Sequence, residues 1–277
     1  MPTEVDARHA AFRIAGPRLI AAAIALGLAG VLCSGCFDLE QTLTLDRHLA
    51  GKASVTVAFD VDSASAVRVK VLHIQLGDER PPRATEFAQA KTAILKAVPS
   101  PSSSELDQSK HNIADGLPKG VTLIDGVLSN DGVKVAAAFS FGFDDPSKLS
   151  QVQVTGALTT PEDPPDHENP ADFPFGGLRV VDEGTTVLVT CAVPNPIPLP
   201  DDAAQRPAAE VGAAVEKMAD LFAGLRFGLK ITAPFAVIEH NATRKDGDTL
   251  VWEFDTKGLV SMTAGQSKQA IRVRYQK

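Results

Sequence analysis

Apolar and polar residues alternate with a period of two in several stretches of this chain, and each such stretch reads as a half-buried strand. Residues 38–46 (DLEQTLTLD) and 54–59 (SVTVAF) alternate on either side of a turn at 47–51, which predicts a β-hairpin. Residues 66–76 are rich in β-branched side chains. There Val67, Val69 and Val71 alternate with Arg68 and Lys70, predicting a strand, and Val67, Val71 and Ile74 also fit a helical stripe. Residues 85–98 set Phe87, Ile94, Leu95 and Val98 on one side, with Thr85 as cap and Pro99 as stop, predicting a helix. Residues 100–110 (SPSSSELDQSK) read as a polar linker. Two apolar runs, 120–129 and 132–143, meet at Asn130-Asp131-Gly132, a hairpin turn signal. Asp144-Asp145-Pro146-Ser147 ends the second run, and residues 150–157 read as a short extended piece.

Prolines in residues 160–174 (TPEDPPDHENPADFP) prevent both ladder and helix, so this stretch reads as a loop. Residues 178–181 and 185–193 predict a strand pair around Asp182-Glu183-Gly184, followed by a second proline segment at 194–200. Val211, Val215, Met218, Leu221, Phe222 and Leu225 recur at helical spacing, predicting an amphipathic core helix over 208–225. The last third is strand-rich: 226–233, then 236–240 beyond Pro234, 249–254 and 270–275, with a turn at Asp246-Gly247 and a corner at Lys257-Gly258-Leu259. Together these predict an α+β fold, a mostly antiparallel β-sheet packed with about two amphipathic helices.

Ahead of this lies residues 19–36, LIAAAIALGLAGVLCSGC, with Arg13 and Arg18 just before it. A basic region, a short apolar run and small residues at a cut site form a secretory signal. A spanning helix needs about 20 apolar residues, more than are present, and no basic stop-transfer flank follows. The closing residues Cys33-Ser34-Gly35-Cys36 resemble the lipobox of bacterial lipoproteins, with Cys33 where that motif prefers Leu or Val. The resemblance implies cleavage between Gly35 and Cys36, a diacylglyceryl thioether on Cys36 and acylation of the new N-terminus. Such chains hold a protein on a membrane at roughly 0.8 kcal/mol per buried CH₂. The expected organisation is a signal peptide over residues 1–35 and a mature domain over 36–277, with a possible subdivision near 194–207.

Two further places act together. One is the lipobox leading at once into a hairpin with the turn Leu-Asp-Arg-His-Leu-Ala-Gly at 45–51. The other is 229–254, where a strand, Pro234, a polar hairpin tip and Val251-Trp252-Glu253 follow in order. This resembles the LppM-type domain of bacterial lipoproteins, which often carries Pro-Gly where this chain has Pro234-Phe235. The resemblance implies an α+β lipoprotein domain with an apolar cavity for lipid-like ligands, and it transfers no catalytic residue.

Charge narrows the partners. The net charge is −7 with no basic run, which argues against nucleic acid and against a membrane held by electrostatics alone. Cys33 leaves with the signal and Cys36 carries lipid, so Cys191 stands alone and reads as a buried small hydrophobe beside Val187, Val189 and Val193. His48, His73, His111, His167 and His240 are scattered singly, with no metal-ligand spacing, and no catalytic motif appears. No metal, cofactor or catalytic residue is therefore expected. Glu162, Asp163, Asp166, Glu168 and Asp172 are hard oxygen donors suited to Ca²⁺, but they read first as a solvated acidic loop. Asn241-Ala242-Thr243 matches a glycosylation sequon and reads as a chance hairpin tip. Asp38 and Glu40 read as solvated.

The leading expectation is a membrane-tethered, non-enzymatic domain in the cell envelope that binds a lipid-like or other apolar small molecule. Its domain would face the periplasm or exterior. Phe37 after the modified cysteine favours the outer membrane if the host has two membranes. The alternatives are a scaffold that recruits another envelope protein through an open sheet edge, and an unrecognised hydrolase.

Overall fold

A computed structural model describes residues 37–76, 80–98, 100–152, 175, 177–192, 224–263 and 271–277. The signal and lipobox, the 160–174 loop, the second proline segment and all but the end of the expected 208–225 helix lie outside these residues.

The fold is α+β, with eleven strands in two sheets among the described residues. The first hairpin pairs β1 (Phe37–Leu45) with β2 (Gly51–Asp60). Asp46 closes the turn by accepting the His48 and Ala50 backbone N–H groups at 2.7 and 3.1 Å. Three helices follow: α1 (Val61–Leu76), α2 (Ala84–Ala97) and α3 (Ser103–Asp115). A second hairpin, β3 (Val121–Asn130) and β4 (Lys134–Phe143), lays β4 antiparallel against β2. A 3₁₀ turn at Pro146–Gln151 ends this half of the chain.

Beyond it come β5 (Arg179–Asp182) and β6 (Thr186–Cys191), paired antiparallel as the sequence predicts. Then β7 (Arg226–Thr232), β8 (Ala236–His240), β9 (Arg244–Asp246), β10 (Thr249–Asp255), helix α4 (Thr256–Thr263) and β11 (Ile271–Gln276) complete the order. The larger sheet runs β3-β4-β2-β1-β7-β10-β9 and the smaller β5-β6-β11-β8. Every pairing is antiparallel except β1 with β7.

Three local expectations change. Residues 66–76 lie in a helix, not a strand. Asp60 starts that helix by accepting the Ser63 N–H at 2.7 Å, and Val61, Ala64 and Val67 turn inward. Residues 103–110 are helical, not linker. Ser102 and Glu105 form a reciprocal capping box, the Ser102 N–H donating to Glu105 at 2.8 Å. That helix buries only Ile113, so it lacks the apolar stripe that would have announced it. The corner at 257–259 opens a helix capped by Asp255, which accepts the Gly258 N–H at 2.9 Å. The α2 helix begins at Ala84, one residue before Thr85, and Glu86 secures its start. Its carboxylate takes the Arg83 N–H at 2.7 Å and meets the Arg80 guanidinium and the buried His73. These bonds, first that from Arg80 and then that from the Arg83 backbone, hold the Glu86 carboxyl down to about 2.

One apolar core sits on one face of the larger sheet. It joins Val61 and Ala64 of α1, Ile113 of α3 and Val187, Val189, Ile271 and Val273 of the smaller sheet to Phe139, Phe141, Leu229 and Trp252. Phe141 meets Phe175 edge-on at 6.2 Å. The two sheets are also tied by Asn241. Its Oδ1 accepts both the Trp252 indole N–H and the Arg272 backbone N–H, each at 2.9 Å. Replacing Asn241 with Leu leaves the buried indole N–H unpaired. Such a loss destabilises by about 1–3 kcal/mol, to be read as a lower urea midpoint with an unchanged slope.

Candidate functional site

Strand alternation sends every second residue of the larger sheet away from the core. On β1 the inward set is Phe37, Leu39, Gln41, Leu43 and Leu45, all buried, while Asp38, Glu40 and Thr44 are exposed. Register then builds the outer face in rows. Asp38 lies beside Ala58 of β2 and Arg226 of β7, and Arg226 lies beside Asp255 of β10. One step along the strands, Thr56, Glu40, Gly228 and Glu253 form the next row.

These two rows floor and wall an open groove of about 840 Å³, which also takes in Lys134 at the start of β4. The hollow exists because Ala58 and Gly228 occupy its floor. A Cβ added at Gly228 would meet no atom nearer than 4.0 Å. At the rim Glu40 pairs with Lys230 at 2.8 Å and Glu253 with Arg244 at 3.0 Å. The groove lies on the outer face and is lined by charged residues together with Leu39, Phe227 and Phe254.

The residues singled out in the sequence do not converge. Cys33, Ser34, Gly35 and Cys36 lie outside the described residues, directly before Phe37. Cys191 is buried on β6, its thiol donating to the Ala192 carbonyl at 3.3 Å. Burial pushes that thiol up to about 12, far from a nucleophile's range. His73 belongs to the Glu86 clasp, His111 sits by Asp115 at 3.4 Å on the surface, and His240 accepts the Ala242 N–H at 3.1 Å. His167 and the acidic loop lie outside the described residues. Among the described residues no group of three His, Cys, Asp or Glu side chains is placed to hold a metal ion. Asp38 and Glu40, read from sequence as merely solvated, wall the groove. Gly228 inside an alternating strand was the one local hint, since a strand glycine often marks a close approach.

The fold and groove define an α+β two-sheet domain with an open polar cleft on its larger sheet. No protein-family model matches the sequence, and no curated protein matches it. Among solved structures the chain is similar to the folded domain of LppM from Mycobacterium tuberculosis, determined by NMR. The two are 11% identical, with a TM-score of 0.39, over 88% of this chain and 90% of that one. The likeness is distant and assigns no residue a role.

Because Cys191 is sealed and its thiol is held protonated, a thiol reagent at pH 8 should modify it in the native protein only at the rate of unfolding. In denaturant it should react within the mixing time. Fast reaction in the native state would contradict its burial.

Proposed function

We propose that this chain is a bacterial lipoprotein of the LppM type. On this reading it is held on a membrane of the cell envelope by lipid on Cys36, and it acts as a non-enzymatic binding domain for a lipid-like or other small molecule. The observation that carries this reading is the position of Phe37. That residue is 2% exposed and opens β1, so a lipid on Cys36 would join the folded domain with no spacer. The groove begins one residue later, at Asp38. A binding role is supported by a lining that carries both signs of charge, Asp38, Glu40, Glu253 and Asp255 with Lys134 and Arg226.

The test is Cys36→Ser. The parent chain should incorporate labelled fatty acid and partition into detergent. The variant should take up no label and keep its precursor size. Fatty-acid label on the variant equal to the parent's, or processing of the variant to the mature size, would overturn the lipoprotein reading.

A further inference from the structure

The groove contains charged side chains that make no direct ion pair of their own, although Lys134 acts at longer range on Asp131. Its rim carboxylates Glu40 and Glu253 are neutralised by Lys230 and Arg244. Among the described residues, Arg226, Lys134 and Asp38 have no side-chain hydrogen bond or ion pair, and Asp255 uses only Oδ1, on the Gly258 N–H. What remains is two cations and two carboxylates on the walls of one cavity. Arg226 stands in register between Asp38 and Asp255, one interstrand spacing of roughly 4.8 Å from each. A purely anionic ligand would meet the unpaired carboxylates of Asp38 and Asp255 on either side of Arg226, and a purely cationic one would meet Arg226 at the centre. A ligand bearing both signs a short distance apart satisfies both.

The source of such a ligand follows from the anchor, and here the inference rests on the lipoprotein reading above. Asp38 lies two residues beyond Cys36, at most roughly 7 Å of extended chain. The headgroup layer on one side of a bilayer is roughly 5–8 Å deep, from a core of about 30 Å in a total of about 40–45 Å. Lipid on Cys36 thus sets the Asp38–Arg226–Asp255 row at headgroup depth. We infer that the groove receives the headgroup of a zwitterionic phospholipid, its phosphate on Arg226 and its ammonium on Asp38 and Asp255, over the open floor at Gly228, with Lys134 adding positive charge to the same groove.

The full mature protein in nonionic detergent can be titrated calorimetrically with dihexanoyl phosphatidylethanolamine, dihexanoyl phosphatidylglycerol and free phosphoethanolamine. The ethanolamine lipid should bind saturably and the glycerol lipid at least tenfold more weakly. Arg226→Gln should weaken ethanolamine-lipid binding about tenfold. Gly228→Val should abolish it by filling the floor, at an edge-free strand site that accepts a β-branched side chain. Circular dichroism should leave both variants folded, and Lys134→Gln at the strand end serves if either is not. Free phosphoethanolamine binding as tightly as the lipid would replace the membrane source with a soluble zwitterion. Equal binding of the two lipids, no binding, or folded variants that bind like the parent would overturn the inference. The titration needs no anchor, so its failure and a failure of the Cys36→Ser test are read separately.

Discussion

The first strand carries two obligations at once, and the rest of the structure depends on both being met. Its inward residues Phe37, Leu39, Gln41, Leu43 and Leu45 enter the core, and its outward residues Asp38 and Glu40 form a wall of the groove. A slip of one residue would exchange the two sets, putting carboxylates in the core and phenyl and leucyl groups in water. The register is pinned from both sides, by nine antiparallel partners on β2 and by the parallel run from Asp38 with Arg226 to Thr44 with Thr232 on β7. That parallel pairing is what joins the two halves of the chain. It also brings Arg226, far away in sequence, between two aspartates.

The placement of the cleft follows from the same pairing. Small residues on β2 and β7 lower the floor, while neighbouring β1 and β10 raise charged walls. The opposite face has no such freedom. There the larger sheet is packed by helices and by the smaller sheet in one continuous core, and Asn241 locks the indole of Trp252 to the backbone of β11. One face is thus given to cohesion and the other carries the open charged groove, as the strict alternation of a half-buried sheet allows.

Much of this was legible in the residues alone. Both N-terminal hairpins, the β5–β6 pair and the C-terminal strand follow from period-two alternation and from turn residues such as Asn130-Asp131-Gly132. The helices were harder for separate physical reasons. The first is rich in valine, whose β-branching mimics a strand, and its start is marked only by the Asp60 cap. The third is polar on nearly all sides, and its one signal was the Ser102–Glu105 capping box. Adjacent strands β7 and β8 belong to different sheets, a divergence at Pro234 that no local pattern reports. The groove was illegible because it needs the register of four strands, one of them paired in parallel across most of the chain.

On the lipoprotein reading proposed above, Cys36 is followed directly by β1, so a lipid on it would put one end of the strands at the bilayer. Lys134, in register with Asp60, marks that end, and Lys52, eight residues up β2 and roughly 26 Å away, marks the other. Cys191 is buried, so a fluorophore can be placed on a cysteine introduced at either position in the lipidated protein. With the protein in nanodiscs containing lipid that carries a nitroxide on its headgroup, the label at position 134 should be strongly quenched and the label at 52 left bright. Equal quenching at the two positions, or stronger quenching at 52, would contradict the account.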